Sequence, residues 1–287
     1  PQAPPATGAV PRATSVTGLH LPVERYMLTP YQAVQEEWVR SAMVSACMRG
    51  FGLSYPVAAR PARHGPAENA FTVLFRRYGV TEARGVRVWG YHVPRSVGPA
   101  AGDAVSPVKR LSSPVTRALL TGADEAGRRV GRYHGRPVPS GGCLAAPDAS
   151  TGSGLDDLQG PGTSADGMVA VIKANSFTQS RADPRVRTAV HAWSACMSAH
   201  GHRLRDPLSA ASVPSMDASA ATHAEITQAE ADVACKTRTN LVGIWFAVES
   251  AYQRAAIHEH RDELASVAER RDRQAARIER LYRSYTG

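Results

Sequence analysis

The sequence predicts a mainly α fold, with disulfide-stapled helical domains, long loops and a long C-terminal helix. Apolar residues recur at helical spacing behind recognisable N-caps, and no long alternating run of the kind typical of strands occurs. Residues 222–285 contain no proline, which permits long helices there. At 287 residues, the chain is long enough for one or two domains with a true core.

Residues 1–20 begin the chain with a Pro/Ala/Thr/Gly-rich stretch. This stretch carries too little apolar surface to fold, so we expect a flexible N-terminal tether. Such tethers are common just after a removed targeting segment, and a trimmed chain is the alternative.

The first predicted module covers residues 21–150 and opens with a helix. Thr29 is a natural N-cap, Pro30 suits the first turn, and Gln32 completes a capping box. The helix is expected to stop at Gly50 or Gly52. The rest of the module is rich in Pro, Gly and Arg. Two further helices are expected there, around residues 68–78 and 113–120.

A Gly/Ser/Asp-rich stretch, residues 151–167, reads as a linker or mobile loop before a second helical module at 168–287. This module is expected to begin with a short helix around 168–177. A second helix should start at Asp183 and Pro184 and stop at Gly201.

The tetrapeptide Ser-Ala-Cys-Met occurs twice, ending at Met48 and at Met197, each time in the context Cys-Met-x-x-x-Gly. Each copy closes an amphipathic helix and is followed by one further cysteine. Four cysteines allow three connectivities. The repeated context favours Cys47 with Cys143 and Cys196 with Cys235. The alternative, a nucleophilic cysteine, would need a lowered pKa and a partner base.

Thr222 and Glu225 form a second capping box, which marks the start of another helical region. From Thr222 onward, the sequence predicts either one helix of some 60 residues or two helices joined near Asn240 and Gly243. The first half is richly apolar. After Glu259 only a thin apolar stripe runs through charged residues, which suits a partial coiled coil or packing on a partner. A solvated helix lying over its own domain is the alternative. The expected partner-binding residues are Leu264, Val267, Ala268, Arg271, Ala275 and Ile278.

Net charge is +9, from 34 Lys and Arg against 25 Asp and Glu. The positive charge is almost all arginine, scattered along the chain without the aromatic or polar base readers that nucleic-acid recognition needs. We therefore expect no specific nucleic-acid partner. No apolar run reaches the roughly 18 residues that span a bilayer.

The sequence contains no P-loop, no nucleophile elbow and no zinc motif, so we expect no catalytic residues, no metal and no cofactor. The alternative is an envelope enzyme with its site in the loop-rich middle. Its candidate residues are Tyr91, His92, Tyr133 and His134. Two other groups of residues are candidate site residues. A metal could be bound by His200 and His202 at a helix end, and acid chemistry could use the adjacent carboxylates Asp156 and Asp157. We expect all four to be solvated groups instead.

The stretches "WSACMSAHGHRLRDP" and "EADVACKTRTNLVGIWFAVESAYQ", with the proline-rich tether and the charged terminal helix, resemble an uncharacterised family of secreted, lipoprotein-like proteins of high-GC actinobacteria. The resemblance covers mainly residues 183–260 and, more loosely, 31–56. It implies an extracytoplasmic accessory role near envelope transporters or peptidoglycan-binding proteins, and it supplies no catalytic residues. The tether departs from the lipoprotein pattern because it contains no lipid-attachment cysteine.

We therefore expect an extracellular or envelope-associated binding or adaptor protein without catalytic activity. Its expected partner is an envelope protein, with an anionic cell-wall polymer as a further candidate, and it would reach a membrane only through a lipid tether. A subunit of a secreted assembly, docking through the C-terminal helix, is the other alternative.

Overall fold

The computed structural model describes residues 4–57, 59–63, 71–93, 113–145, 165–213, 216 and 218–285. In these ranges the protein is mainly helical, as the sequence predicts. In chain order the elements are a 3₁₀-helix Pro22–Tyr26, α1 Pro30–Gly50, α2 Ala83–Trp89, α3 Pro114–Thr121, β1 Arg132–Tyr133, β2 Arg136–Pro137, α4 Ala165–Ala182, α5 Pro184–Ala199, α6 His223–Thr239, α7 Leu241–Glu259 and α8 Arg261–Ser284. The two short strands form an antiparallel hairpin.

The chain forms two compact units, each built from separated segments. Unit 1 comprises Pro1–Met27, Thr72–Pro94 and Pro161–Val267, and unit 2 comprises Leu28–Phe71, Arg95–Gly160 and Ala268–Gly287. This differs from the expected modules at 21–150 and 168–287. A division along the sequence could not anticipate that 72–94 packs with the helices after residue 161. Of the expected linker, 151–164 lies outside the described residues, and 165–167 already belong to α4.

The predicted helix starts are confirmed. Thr29 caps α1 in a reciprocal capping box with Gln32, Asp183 caps α5 through the Arg185 amide, and Thr222 caps α6 through the Glu225 amide. Gly52 and Gly201 have the left-handed backbone expected of helix stops, with φ of 77° and 86°.

Unit 1 is built around α7, on which α4, α5 and the 3₁₀-helix pack, while α2 packs on α6. The Trp245 ring is fully buried and stacks on Tyr78 and Phe177, with centroids 5.0 and 5.6 Å away. Its indole Nε1–H donates to Ser180 Oγ at 3.0 Å, so this large ring is buried with its polar atom satisfied.

The N-terminal stretch is docked on unit 1, so the expectation of a flexible tether is wrong for its described part. Asn240 Oδ1 accepts from the Ala13 amide, and Asn240 Nδ2 donates to the Pro11 carbonyl, both at 3.0 Å. Arg185 donates to the Pro5 carbonyl at 3.1 Å, and Ala13 is buried. Side chains of the helices satisfy the backbone of this stretch, which therefore needs few apolar residues of its own.

Unit 2 has a small core formed by α1, α3 and the segment after the hairpin. Its buried members are Val44, Met48, Leu119, Leu120, Val138 and Cys143. Cys47 and Cys143 are joined by a disulfide in this cluster, and Cys196 and Cys235 are joined between α5 and α6 in unit 1. Both Cα–Cα distances are 5.7 Å, and both pairs are those predicted from the repeated sequence context.

The C-terminal region consists of consecutive helices rather than one rod. The first break is at Asn240, which agrees with the second of the two alternatives left open by the sequence, and the backbone turns left-handed there with φ 53° and ψ 32°. A second break at His260, which the sequence did not suggest, separates α7 from α8.

The helix expected around residues 68–78 is absent from its described part, 71–78, which forms successive turns. Arg76 has a left-handed backbone with φ 52°, which an α-helix cannot accommodate. The expected helix around 113–120 is confirmed as α3, and the one around 168–177 lies within α4. Among the described helices, none combines the length and apolar composition needed to cross a lipid bilayer.

Candidate functional site

A cleft of about 610 Å³ opens in unit 2 beside the first turns of α1 and the second half of α8. We call it the α1–α8 cleft. Its lining residues are Thr29, Pro30, Tyr31, Gln32, Gln35, Arg63, Ala275, Ala276 and Glu279. The volume lies within the range of sites that hold small molecules or one or two side chains of a partner.

Local sequence explains why the cleft is open and why its walls hold their shape. Ala275 and Ala276 put only methyl groups on this side of α8, which leaves space above the helix. Gln35 Nε2 on α1 donates to Glu279 Oε2 on α8 at 3.1 Å. The capping box of α1 and this cross-helix hydrogen bond therefore hold the two helical walls of the cleft, whereas Arg63 is contributed by a loop.

The α1–α8 cleft presents groups of both charges beside an aromatic ring. The Arg63 guanidinium carbon lies 5.0 Å from the centroid of the Tyr31 ring, a cation–π distance. Hydrogen bonds from Arg283 and Gln35 lower the pKa of Glu279, which keeps this carboxylate ionised. Burial raises the pKa of Tyr31, and its interaction with Tyr282 adds to the shift, so the phenol stays protonated. These groups can orient a polar or zwitterionic partner.

The stripe expected to bind a partner is largely covered by the chain itself, which corrects that prediction. Leu264, Val267 and Ile278 have no exposed surface, so a partner cannot reach them on the folded protein. Ala268, Arg271 and Ala275 are half-buried, and of the predicted set only Ala275 lines the cleft.

In unit 2 the cover is α1, and residues that the aliphatic pattern omitted make the contact. Gln274 Nε2 donates to Glu36 Oε1 at 3.2 Å. The Tyr282 hydroxyl donates to the Pro61 carbonyl at 2.9 Å, and its ring packs edge-on against Trp38. Together with the aliphatic residues, Gln274 and Tyr282 form a buried face of α8 that is wider than the predicted stripe.

Tyr91 and His92 lie in unit 1, whereas Tyr133 and His134 lie in unit 2. The Tyr133 ring packs edge-on against Phe51 beside the unit 2 core, and His134 occupies the hairpin turn with φ 46°. The positions of these two residues are explained by the hairpin.

His92 is held from both sides. Nδ1 lies 3.0 Å from Glu225 Oε1, and Nε2 lies 3.2 Å from the Ala218 carbonyl oxygen. The nitrogen that a general base would offer to a substrate is therefore occupied by a backbone acceptor. These two contacts of His92 connect Ala218 to Glu225 at the start of α6, which indicates a structural role for His92.

We call the region around Asp232 and Lys236 the buried polar centre of unit 1. Gly79 and Gly90 shape the turns that border it, both with positive φ. A Cβ at Gly79 would lie 2.7 Å from Lys236 Nζ, and one at Gly90 would lie 2.5 Å from Glu225 Oε1. Only glycine permits backbone so close to these buried charges.

Asp232 and Lys236, one turn apart on α6, have side chains 0% and 1% exposed, and Nζ lies 3.0 Å from Oδ2. Trp193 Nε1 donates to Asp232 Oδ1 at 2.9 Å, and Lys236 Nζ donates to the Val80 carbonyl at 2.9 Å. Burial raises the pKa of Asp232 and lowers the pKa of Lys236, which favours the neutral form of each group. No sequence pattern distinguished this pair from an ordinary exposed i, i+4 ion pair.

A second buried charge lies between α4 and α7. Glu249 has no exposed side-chain surface and accepts from Arg77 Nε at 2.8 Å, Tyr78 OH at 2.8 Å and Gln253 Nε2 at 3.2 Å. Arg77 also donates to the Lys173 carbonyl, which ties the turn at 77–78 to α4. This network is fully engaged in holding unit 1 together.

Donor atoms of Cys196, Cys235 and His200 lie within 4.8 Å of one another. Both sulfurs are already bonded to each other, and a disulfide lacks the thiolates that a metal such as zinc requires. Asp156 and Asp157 lie outside the described residues. No protein-family model, curated protein or solved structure matches this chain.

Proposed function

We propose that this protein is an extracellular or envelope-associated binding or adaptor protein, which holds a partner through the α1–α8 cleft of unit 2. The role requires no chemistry from the protein. It requires a stable scaffold and one accessible surface with mixed polar and aromatic character.

The pair of disulfides is the single observation that carries the compartment in this proposal. Every cysteine of the chain is bridged, and Cys143, Cys196 and Cys235 are buried. Structural disulfides of this kind persist in oxidising compartments and are rare in the reducing cytosol. The resemblance to secreted proteins of actinobacteria points in the same direction.

The α1–α8 cleft is favoured over the outer face of α8 as the contact surface. On that outer face, charged side chains pair with neighbours on the same helix, as in the exposed ion pair Arg273–Glu269 at 3.9 Å. The cleft instead offers Tyr31 and Arg63, and aromatic and arginine side chains are the types that dominate binding energy at protein interfaces. An envelope protein that inserts a short polar segment is therefore the favoured partner.

A photo-crosslinking amino acid placed at Arg63 tests this proposal in intact cells. Arg129, an exposed arginine of unit 2 outside the cleft, is the matched control position. We expect one discrete crosslinked species from position 63, absent from position 129 and lost when Tyr31→Ala is added. Equal crosslinking from both positions would reject the cleft as the contact surface.

An anionic cell-wall polymer is a second candidate, which Arg63 and the net charge of +9 favour. Pull-down of purified wall polymer with the wild-type protein, Arg63→Glu and Arg129→Glu distinguishes the two. Selective loss with Arg63→Glu at about 0.15 M salt would favour the polymer, whereas equal small losses would indicate unspecific charge attraction.

A further inference from the structure

The buried polar centre of unit 1 places an amine and a carboxyl group where they can react with each other. Lys236 Nζ lies 3.0 Å from Asp232 Oδ2, and both side chains are buried. Residues four apart on a helix are neighbours, so a covalent link between their side chains is compatible with α6 remaining helical.

Each atom of the pair has a partner that suits amide formation. Trp193 donates to Asp232 Oδ1, which polarises the carboxyl carbon and would stabilise negative charge on this oxygen as the carbon is attacked. The Val80 carbonyl accepts from Lys236 Nζ and fixes the position of the nitrogen. Oδ2 is thereby left as the oxygen that can leave.

Tyr91 supplies a proton donor at the same place. Its side chain is 1% exposed, and it interacts electrostatically with Asp232. The hydroxyl makes no hydrogen bond of ordinary geometry among the described residues. The side chains of Asp232 and Gln228 nevertheless lie close enough to interact with it, which places the hydroxyl within reach of the carboxyl group. Burial raises the pKa of Tyr91, so the hydroxyl keeps its proton.

The Tyr91 backbone is held firmly. Glu225 Oε1 accepts from the Tyr91 amide at 2.7 Å, and Arg76 donates to the carbonyls of Tyr91 and His92. These contacts fix the Tyr91 backbone without using the hydroxyl.

We propose that Asp232 and Lys236 form an intramolecular amide bond after unit 1 folds. Lys236 Nζ, as the neutral amine, attacks Cγ of the protonated Asp232 carboxyl group. A new Cγ–Nζ bond forms, the Cγ–Oδ2 bond breaks, and Oδ2 leaves as water, with Tyr91 relaying the proton to the departing oxygen. One amine and one carboxylic acid give one amide and one water, so no oxidant, activated substrate or other co-reactant is needed.

The product fits the surroundings that are already present. The amide oxygen, formerly Oδ1, keeps the hydrogen bond from Trp193, and the amide N–H keeps its bond to the Val80 carbonyl. Two buried ionisable groups become one neutral amide, so neither a carboxylate nor an ammonium group has to be held in the buried polar centre. The link stands independently of the proposed binding role, because it lies in unit 1 and involves no cleft residue.

Intact-mass measurement of the full chain tests the proposal without any variant. After folding, the protein is denatured and both disulfides are reduced. We expect a mass lower than the sequence mass by one water molecule. Trypsin should then fail to cut after Lys236 and yield one peptide, 206–238, that carries the deficit. An unmodified mass with normal cleavage after Lys236, or a deficit mapped elsewhere, would overturn the proposal.

Variants separate the chemistry from the fold. Lys236→Arg keeps a cation but cannot form this amide, so its mass should match its sequence. Tyr91→Phe removes only the hydroxyl, and we expect it to slow the loss of water on the order of 10²-fold or more, the usual contribution of a general acid. Cross-linking at the wild-type rate in Tyr91→Phe would remove Tyr91 from the mechanism. Loss of water from wild-type protein unfolded throughout would refute its dependence on the fold.

Discussion

The ring of Tyr282 lies edge-on to the ring of Trp38, with 5.3 Å between their centroids and 74° between their planes. Arg60 lies over the Tyr282 ring at 4.0 Å and donates to the Tyr282 carbonyl at 2.6 Å. The end of α8 is thus packed against α1 and Arg60 within unit 2 and does not project freely.

Truncation of Tyr282 should therefore destabilise the protein. We expect Tyr282→Ala to lower the free energy of unfolding by about 3–5 kcal/mol, as for other buried aromatic residues. Tyr282→Phe removes the hydrogen bond to Pro61 and the interaction of the hydroxyl with Tyr31, and should cost about 1 kcal/mol. Urea unfolding of the full chain measures both. If Tyr282→Ala lowers the free energy of unfolding by less than 1 kcal/mol, α8 is not held by this contact and is available to a partner.

For the contact between Arg77 and Glu249, removing one partner should destabilise the protein more than removing both. Arg77→Leu leaves the fully buried Glu249 carboxylate without its cation, which should cost about 3–5 kcal/mol. The double variant Arg77→Leu/Glu249→Leu removes both charges and should recover part of that loss. Unfolding midpoints of the single and double variants decide this. If the double variant is as unstable as the sum of the singles, the pair is not energetically coupled.

Asp183 should make stability depend on acid pH. Hydrogen bonds from Arg185 lower the pKa of this carboxyl group, with Tyr252 adding to the effect. The folded state therefore binds the proton less readily than the unfolded state. The stabilisation is complete above the ordinary Asp pKa of about 3.9 and is lost as pH falls through the lower folded pKa.

Asp183→Asn is the matched variant, because asparagine still caps helices. It should lose about 1–3 kcal/mol of stability at neutral pH through the broken charged hydrogen bonds. Its deficit relative to wild type should shrink as pH falls below about 4. A deficit that stays constant down to acid pH would show that the Asp183 charge does not contribute.

Asn240 should control the docking of the N-terminal segment. Asn240→Gly keeps a residue that tolerates φ 53° but removes both side-chain hydrogen bonds to the segment. We expect faster hydrogen exchange at the Ala13 amide with little change at the helices. Asn240→Ala adds backbone strain and should also lower the melting temperature. Unchanged exchange at Ala13 in Asn240→Gly would mean that other contacts hold the segment.

Local chemistry made much of the helical architecture predictable. The helix caps at Thr29, Asp183 and Thr222 depend only on neighbours within four residues, so they can be predicted from the local sequence. The disulfide pairs followed because a repeated context preceded Cys47 and Cys196. The break at Asn240 was also readable, since asparagine is among the residues that adopt a left-handed backbone.

Long-range polar contacts were not predictable in the same way. In the sequence, Glu249 and Lys236 resemble surface residues of a helix, and their contacts with Arg77 and Val80 come from a segment far away along the chain. The docked N-terminal stretch escaped prediction because hydrogen bonds from Asn240 and Arg185, rather than apolar residues, hold it. Gln274 and Tyr282 were missed because the stripe on α8 was judged on its aliphatic residues alone.

Thiol trapping in intact producing cells, followed by non-reduced peptide mapping, tests most directly whether this is an extracytoplasmic, disulfide-stapled protein. Cells are quenched with an alkylating reagent that labels any free thiol before lysis. We predict that all four cysteines escape labelling and are recovered as Cys47–Cys143 and Cys196–Cys235. Labelled cysteines in the folded protein would contradict the proposed compartment, and a bridge between Cys47 and Cys196 would contradict the fold.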